Sequence, residues 1–175
     1  VDRDYFTMLR DGAITGDFIS APARNKFTGQ WSFFISRRIN DARGNFIGLV
    51  AIGFSVSEIS GFFQRVVHNL GPGASISLYR NDLTMLARTP LIENLMGQRN
   101  QSGSTYEVIE LHKKKQEVIL TDRTRFSTGK RELRLSAVRA IDRYPLIVTL
   151  VVGDELFLNS WRRMTATIVL VTAVS

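Results

Sequence analysis

The chain contains no cysteine, which excludes disulfides, thiolate metal sites and a cysteine nucleophile. Histidine is nearly as scarce. With only His68 and His112 present, a zinc site or a histidine-based catalytic centre would have to be assembled almost wholly from carboxylates. No Walker loop, GxSxG elbow, HExxH helix, EF-hand loop or GxGxxG fingerprint occurs. His68 follows an apolar helical stripe and His112 sits beside lysines, and neither has a partner constellation in the sequence. The carboxylates are dispersed, and the close pair Asp2 and Asp4 has a spacing that does not face on a helix. These absences speak against an enzyme, a metal site and a resident cofactor.

What is present belongs to a folded chain. In 175 residues, 44% hydrophobic and 22% charged, there is room for one ordinary domain or two small ones. The net charge of +7 arises from 23 Lys+Arg against 16 Asp+Glu. The arginines are scattered from Arg3 to Arg163, and the run Lys113, Lys114 and Lys115 is too short for a basic arm. The charge therefore fits a solvated face or a surface near anionic lipid better than a nucleic-acid partner.

The C-terminal residues 164–175 carry no charge. Such a run is either the first half of a membrane span, which needs about 20 apolar residues, or a buried terminal helix. Trp161, Arg162 and Arg163 stand where interfacial anchors would, which favours the truncated span. Val1 follows no methionine, signal peptide or earlier element, so a preceding part, with room for another membrane segment, is expected.

The middle of the chain repeats itself. Residues 31–36 and 46–54 are apolar runs separated by the turn-rich 40–44, which predicts an antiparallel hairpin. Residues 131–138 and 146–153, separated by a turn at 142–145, predict a second one. Gly29 recurs at Gly129 and Gly53 at Gly153, the same hundred-residue step, so the chain reads as two related modules of about that size. Each second strand runs into a helix. After the first, Ser55 to Glu58 has capping-box spacing, Ile59, Phe62, Phe63 and Val66 recur at helical intervals, and Gly71, Pro72 and Gly73 stop the helix. After the second, Asp154 is a good N-cap and neither proline nor glycine follows, so the helix can continue into the membrane as a lever. Residues 74–79 and 83–87 read as strand, turn and strand, 98–105 as a mobile loop, and 108–109 and 118–120 as short strands with the lysines guarding an edge.

The motif that stands out is Arg3, Asp4, Tyr5 and Phe6: a forked cationic donor beside aromatics able to cover an apolar ligand portion. The alternative is a local ion pair between Arg3 and Asp2 or Asp4, with the aromatics docked in the core.

Residues 2–6, 35–39, the hairpin around Gly44 and Gly48, Leu70 and Gly71 with 76–79, 87–90 and 144–146 together resemble the double Cache (PAS-like, PDC) periplasmic sensor region of bacterial membrane signalling proteins. The likeness is greatest to the sensors ahead of GGDEF diguanylate cyclases, with histidine kinases next. It implies an α+β fold of two PAS-like (Cache) modules, each a central antiparallel sheet flanked by helices, leading into a transmembrane helix. The modules are residues 1–69, membrane-distal, and 70–153, membrane-proximal, with 154–175 as the helix entering the membrane. It implies a sensor at the bacterial inner membrane, facing the periplasm, likewise a homodimer, with no cofactor and no catalysis in this region. In amino-acid-binding relatives an Arg-x-aromatic pair holds the ligand carboxylate, which Arg3 and Tyr5 match. The places that would hold the ammonium fall near Ala23 and Phe54, which cannot do so. A small carboxylate is the implied ligand, with Trp31 or Phe33 lining the cavity. The alternative is a ligand-free structural or protein-interaction module of a histidine kinase or similar receptor.

Overall fold

A computed structural model of the chain describes residues 4–14, 16–25, 28–71, 73–124, 129 and 131–156. Helix α1 (Asp4–Arg10) leads to short strands β1 (Asp17–Ile19) and β2 (Ala23–Arg24), then to the long strands β3 (Trp31–Asn40) and β4 (Phe46–Ser55). Strands β1 and β2 pair successively along one edge of β3, and β4 pairs antiparallel along the other. Helix α2 (Val56–His68) follows β4 directly. The second sheet is built from β5 (Ser75–Arg80), β6 (Met85–Thr89), β7 (Gln116–Thr124), β8 (Arg131–Ile141) and β9 (Leu146–Gly153), in the antiparallel order β6-β5-β9-β8-β7. Between β6 and β7 lie a 3-10 turn at Glu93–Leu95, helix α3 (Gly103–Tyr106) and a π-helical turn at Glu107–Leu111.

The two hairpins repeat at the hundred-residue step. Strand β8 begins at Arg131 where β3 begins at Trp31, and β9 at Leu146 where β4 begins at Phe46. Register repeats with them: Arg37 faces Val50 in the first hairpin, and Ala137 faces Leu150 in the second. Gly29 and Gly129, each just ahead of its long strand, share a φ of +67°, a left-handed backbone that costs glycine little. The first hairpin turns on Asp41, whose carboxylate accepts from the backbone N–H groups of Arg43 and Asn45, with Gly44 at φ +86°. The step extends to the helices, since α1 lies against β3 and β4 much as α3 lies against β8.

One apolar cluster joins the sheets. Ile19, Phe33, Val56 and Phe63 from the first half share it with Ile76, Leu86, Val108 and Val152 from the second. Polar straps run beside it. Arg80 donates to the carbonyl of Ile19 at 2.8 Å, and Thr89 Oγ1 donates to the carbonyl of Ser60 on α2 at 2.8 Å.

Several local expectations change. Val108 and Ile109 are in the π-helical turn rather than a strand, because so short an apolar pair carries no period that separates the two. Residues 98–105 are not a free loop: Met85 N–H donates to Gln98 O, Asn100 N–H to Leu83 O, and α3 starts at Gly103. The capping box does not form, since Ser55 is the N-cap of α2 without a side-chain cap bond and its hydroxyl pairs with that of Ser57 instead. The uncharged run 164–175 lies outside the described residues. No described helix is long and apolar enough to cross a membrane.

Candidate functional site

In both halves a helix covers the even-numbered face of the long strand, and the two covered spaces differ. In the first, Arg38 reaches up from β3 to donate to the carbonyls of Leu9 and Arg10, fixing the C-terminal end of α1. Tyr5 then lies over Phe34, ring centroids 5.3 Å apart. Gly53, opposite Phe34, permits this, because a Cβ there would sit 3.0 Å from Phe34 Cε1. Two aromatic rings thus meet beneath α1.

In the second half the equivalent of Phe34 is Arg134, and beneath α3 there is a cavity of about 630 Å³, within the range of small-molecule sites. Its floor is the inward face of β5, β9 and β8, where Ser75, Ser77, Thr149 and Ser136 are all buried. Its roof is held down by two hydroxyl pairs at 2.8 Å, Ser104 to Ser136 and Thr105 with Thr149. Arg88 enters from β6 and donates to Ser77 Oγ at 2.6 Å. The Nε of Arg88 and the hydroxyl of Ser75 are buried and have no hydrogen-bond partner among the described residues. Burial pushes the Arg88 pKa down from its usual value, with Tyr79 opposing, and a guanidinium nevertheless stays protonated in a protein. From β8, Arg134 donates to Gly73 O at 3.4 Å and its Nε is 3.6 Å from Glu132. Among the described residues the wall holds four arginines, Arg88, Arg99, Arg131 and Arg134, against one carboxylate, Asp122, which is exposed and paired with Arg131 at 3.0 Å. Such an arrangement can bind and orient an anion. Among the described residues no group of three or more histidines and carboxylates could hold a metal ion.

The expected ligand residues do not come together. Tyr5 and Phe34 share one face of the first sheet, so Phe33, the next residue along β3, points to the other. There it stacks on Phe54 with centroids 5.5 Å apart and is 2% exposed. Trp31 is on the same face as Phe33, with the Arg24 guanidinium 5.2 Å from its ring. Strand alternation thus separates Trp31 and Phe33 from any ligand held by Tyr5, and Arg3 lies outside the described residues.

Sequence reasoning missed the cavity of the second sheet. The signal was there: Ser75 and Ser77 on β5, and Arg134 and Ser136 on β8, alternate with apolar residues. Alternation alone reads equally well as a solvent face, and only strand order shows that these polar faces adjoin inside the molecule.

No family model matches the chain, and no curated protein sequence matches it. Solved structures do. The chain is 28% identical to the extracellular domain of the candidate histidine kinase rpHK1S-Z16, covering 91% of this chain and 63% of that one with a TM-score of 0.67. It shares its fold with the periplasmic sensory domain of the Campylobacter jejuni chemoreceptor Tlp1, at 13% identity and TM-score 0.63, covering 86% of this chain and 54% of that one. It shares it too with the ligand-binding domain of the Pseudomonas aeruginosa PAO1 amino acid chemoreceptor PctC, determined with GABA, at 14% identity and TM-score 0.54, covering 86% and 60%. The mixed α and β fold with antiparallel sheets is thus that of extracellular and periplasmic sensor domains. The chain spans less than two thirds of each of these structures.

Proposed function

We propose that the chain is the ligand-sensing region of a bacterial transmembrane signalling receptor, held on the periplasmic side of the inner membrane. The observation that carries this is the 28% identity with the extracellular domain of a candidate histidine kinase over nearly the whole chain. In this reading residues 1–69 and 70–153 are two PAS-like (Cache) modules, a division supported by the repeated hairpin register. Residues 154–175 lead into a membrane span, and two copies pair. A small molecule shifts the balance between two arrangements of the sheets through its different affinity for each, by about 1 to 3 kcal/mol in ordinary allosteric systems. The terminal helix passes that shift to a cytoplasmic output such as a diguanylate cyclase. Arg3 and Tyr5 then form a carboxylate contact at the head of the first module, without Trp31 or Phe33.

A fusion of alkaline phosphatase after Gly153 in the full receptor gene tests the topology. Activity is expected, because the enzyme works only outside the cytoplasm, and an inactive fusion in a stably expressed protein overturns the reading.

One observation favours a second reading, a ligand-free interaction module. Among the described residues β4 pairs on one edge only, carries no charge, and exposes Ile47, Val50 and Ile52. A strand of that kind invites another strand. Concentration-dependent association lost in a Val50→Lys variant, with no response to small molecules, would favour it.

A further inference from the structure

We propose that the cavity of the second sheet is a ligand site for a small organic molecule bearing a carboxylate or phosphate group, held by Arg88 and Arg134 over a floor of hydroxyls. It rests on the receptor reading only for its meaning as an input.

The argument starts from Arg88. The residue is half-buried, its Nε is shut off from solvent with no partner, it donates to one hydroxyl, Ser77, and no carboxylate pairs with it among the described residues. A cation withdrawn from water without a counter-charge is strongly unfavourable, and proteins meet that cost by pairing it. Among the described residues the wall has one carboxylate, Asp122, which faces solvent and is engaged by Arg131, so the partner of Arg88 is to be sought in the cavity. A carboxylate or phosphate matches the forked donors of arginine, whereas a neutral ligand leaves the charge unanswered.

Arg134 sits on β8, three strands across from β6, about 14 Å at roughly 4.8 Å per strand. Both side chains line the same cavity, so they approach it from opposite sides of the serine and threonine floor. The buried Ser75 hydroxyl, with no partner of its own, offers a further donor or acceptor there. The volume of about 630 Å³ exceeds what an inorganic ion fills, which makes the occupant an organic anion. Among the described residues the wall offers no free carboxylate for an ammonium group, so zwitterionic α-amino acids fit poorly.

The test is thermal unfolding of the 175-residue chain with succinate, inorganic phosphate or glycine, at matched ionic strength set with chloride, followed by calorimetric titration. Succinate, phosphate or both should raise the midpoint by roughly 5 to 10 °C at about 100 times the dissociation constant, and glycine should not. Which of the two acts identifies the carboxylate or the phosphate as the source. Arg88→Met should remove the shift while leaving the unliganded midpoint unchanged or higher, since it deletes a half-buried charge that has no carboxylate partner among the described residues. Arg88→Lys, which keeps the charge and loses the fork, should weaken binding at least tenfold, and Arg134→Met should weaken it independently. No shift with either anion, or equal shifts in the wild type and both methionine variants, overturns the proposal. An active phosphatase fusion with no anion response would remove this site and leave the receptor reading standing. An inactive fusion with a full anion response would do the reverse.

Discussion

The two halves of this chain have the same hairpin in the same register and differ in what lies beneath the covering helix. Under α1 the space is taken by Tyr5 against Phe34. Under α3, Arg134 stands where Phe34 would, hydroxyls replace rings, and a cavity opens. A repeated backbone thus marks the same place twice, packed by Tyr5 and Phe34 in one half and lined by Thr105 and Arg134 in the other. Packed aromatics contribute stability, while half-buried arginines and buried serines cost stability where they lack partners.

The comparison can be broken most forcefully at Phe33, which lies in the cluster shared by both sheets. Phe33→Ala should cost about 3 to 5 kcal/mol in urea unfolding. If probes placed in the second sheet do not register the loss, the shared core is wrong. Thr149→Val removes the partner of Thr105 at the roof of the cavity and should cost about 1 to 3 kcal/mol, because a buried hydroxyl is left unpaired. A loss this large in anion-free buffer would show that the roof is held by the protein itself.

A third prediction concerns the strap between the halves. Arg80 grips Asp82 with two hydrogen bonds, of 3.0 and 2.6 Å, while reaching Ile19. The Arg80 contact, with the Thr84 backbone helping and burial opposing, lowers the Asp82 carboxyl to about 2. The ordinary unfolded value is about 3.9, so the ionised form favours folding above roughly pH 4 and the benefit disappears as pH falls towards 2. The stability deficit of Asp82→Asn should therefore be full above pH 4 and shrink towards pH 2 in thermal melts. A deficit independent of pH would mean that the contact is not ionic. The smallest effect belongs to Glu93→Gln, which breaks an exposed pair with Arg24 at 2.8 Å. Its cost should stay below about 1 kcal/mol, and a larger loss by double-mutant cycle would make that pair a true link between the halves.

The hairpins were legible because their strands are long, alternating or rich in β-branched residues, and closed by turn-forming segments, one with Gly44 and the other with Pro145, and the hundred-residue step was visible from Gly29, Gly53, Gly129 and Gly153 alone. Short elements were not. Val108 and Ile109 carry too little periodicity to separate strand from helical turn, and Ser55 with Glu58 has the spacing of a capping box although Ser55 bonds elsewhere. The site was less legible than the fold. Tyr5 was singled out as a ligand contact, and grouping it with Phe33 ignored that Phe33 and Phe34, as neighbouring strand residues, point to opposite sides. Arg88 and Arg134 lie 46 positions apart in the chain, and only the strand order, which no local pattern encodes, brings them to one cavity.

Phe33, Val56 and Phe63 find their apolar neighbours among Ile76, Leu86 and Val152. A chain cut near residue 70 would leave oily surface bare on both pieces. Each piece is therefore expected to be less soluble and less stable alone than within the whole chain. The repeated hairpins share one core, so a boundary drawn between them would run through packed side chains.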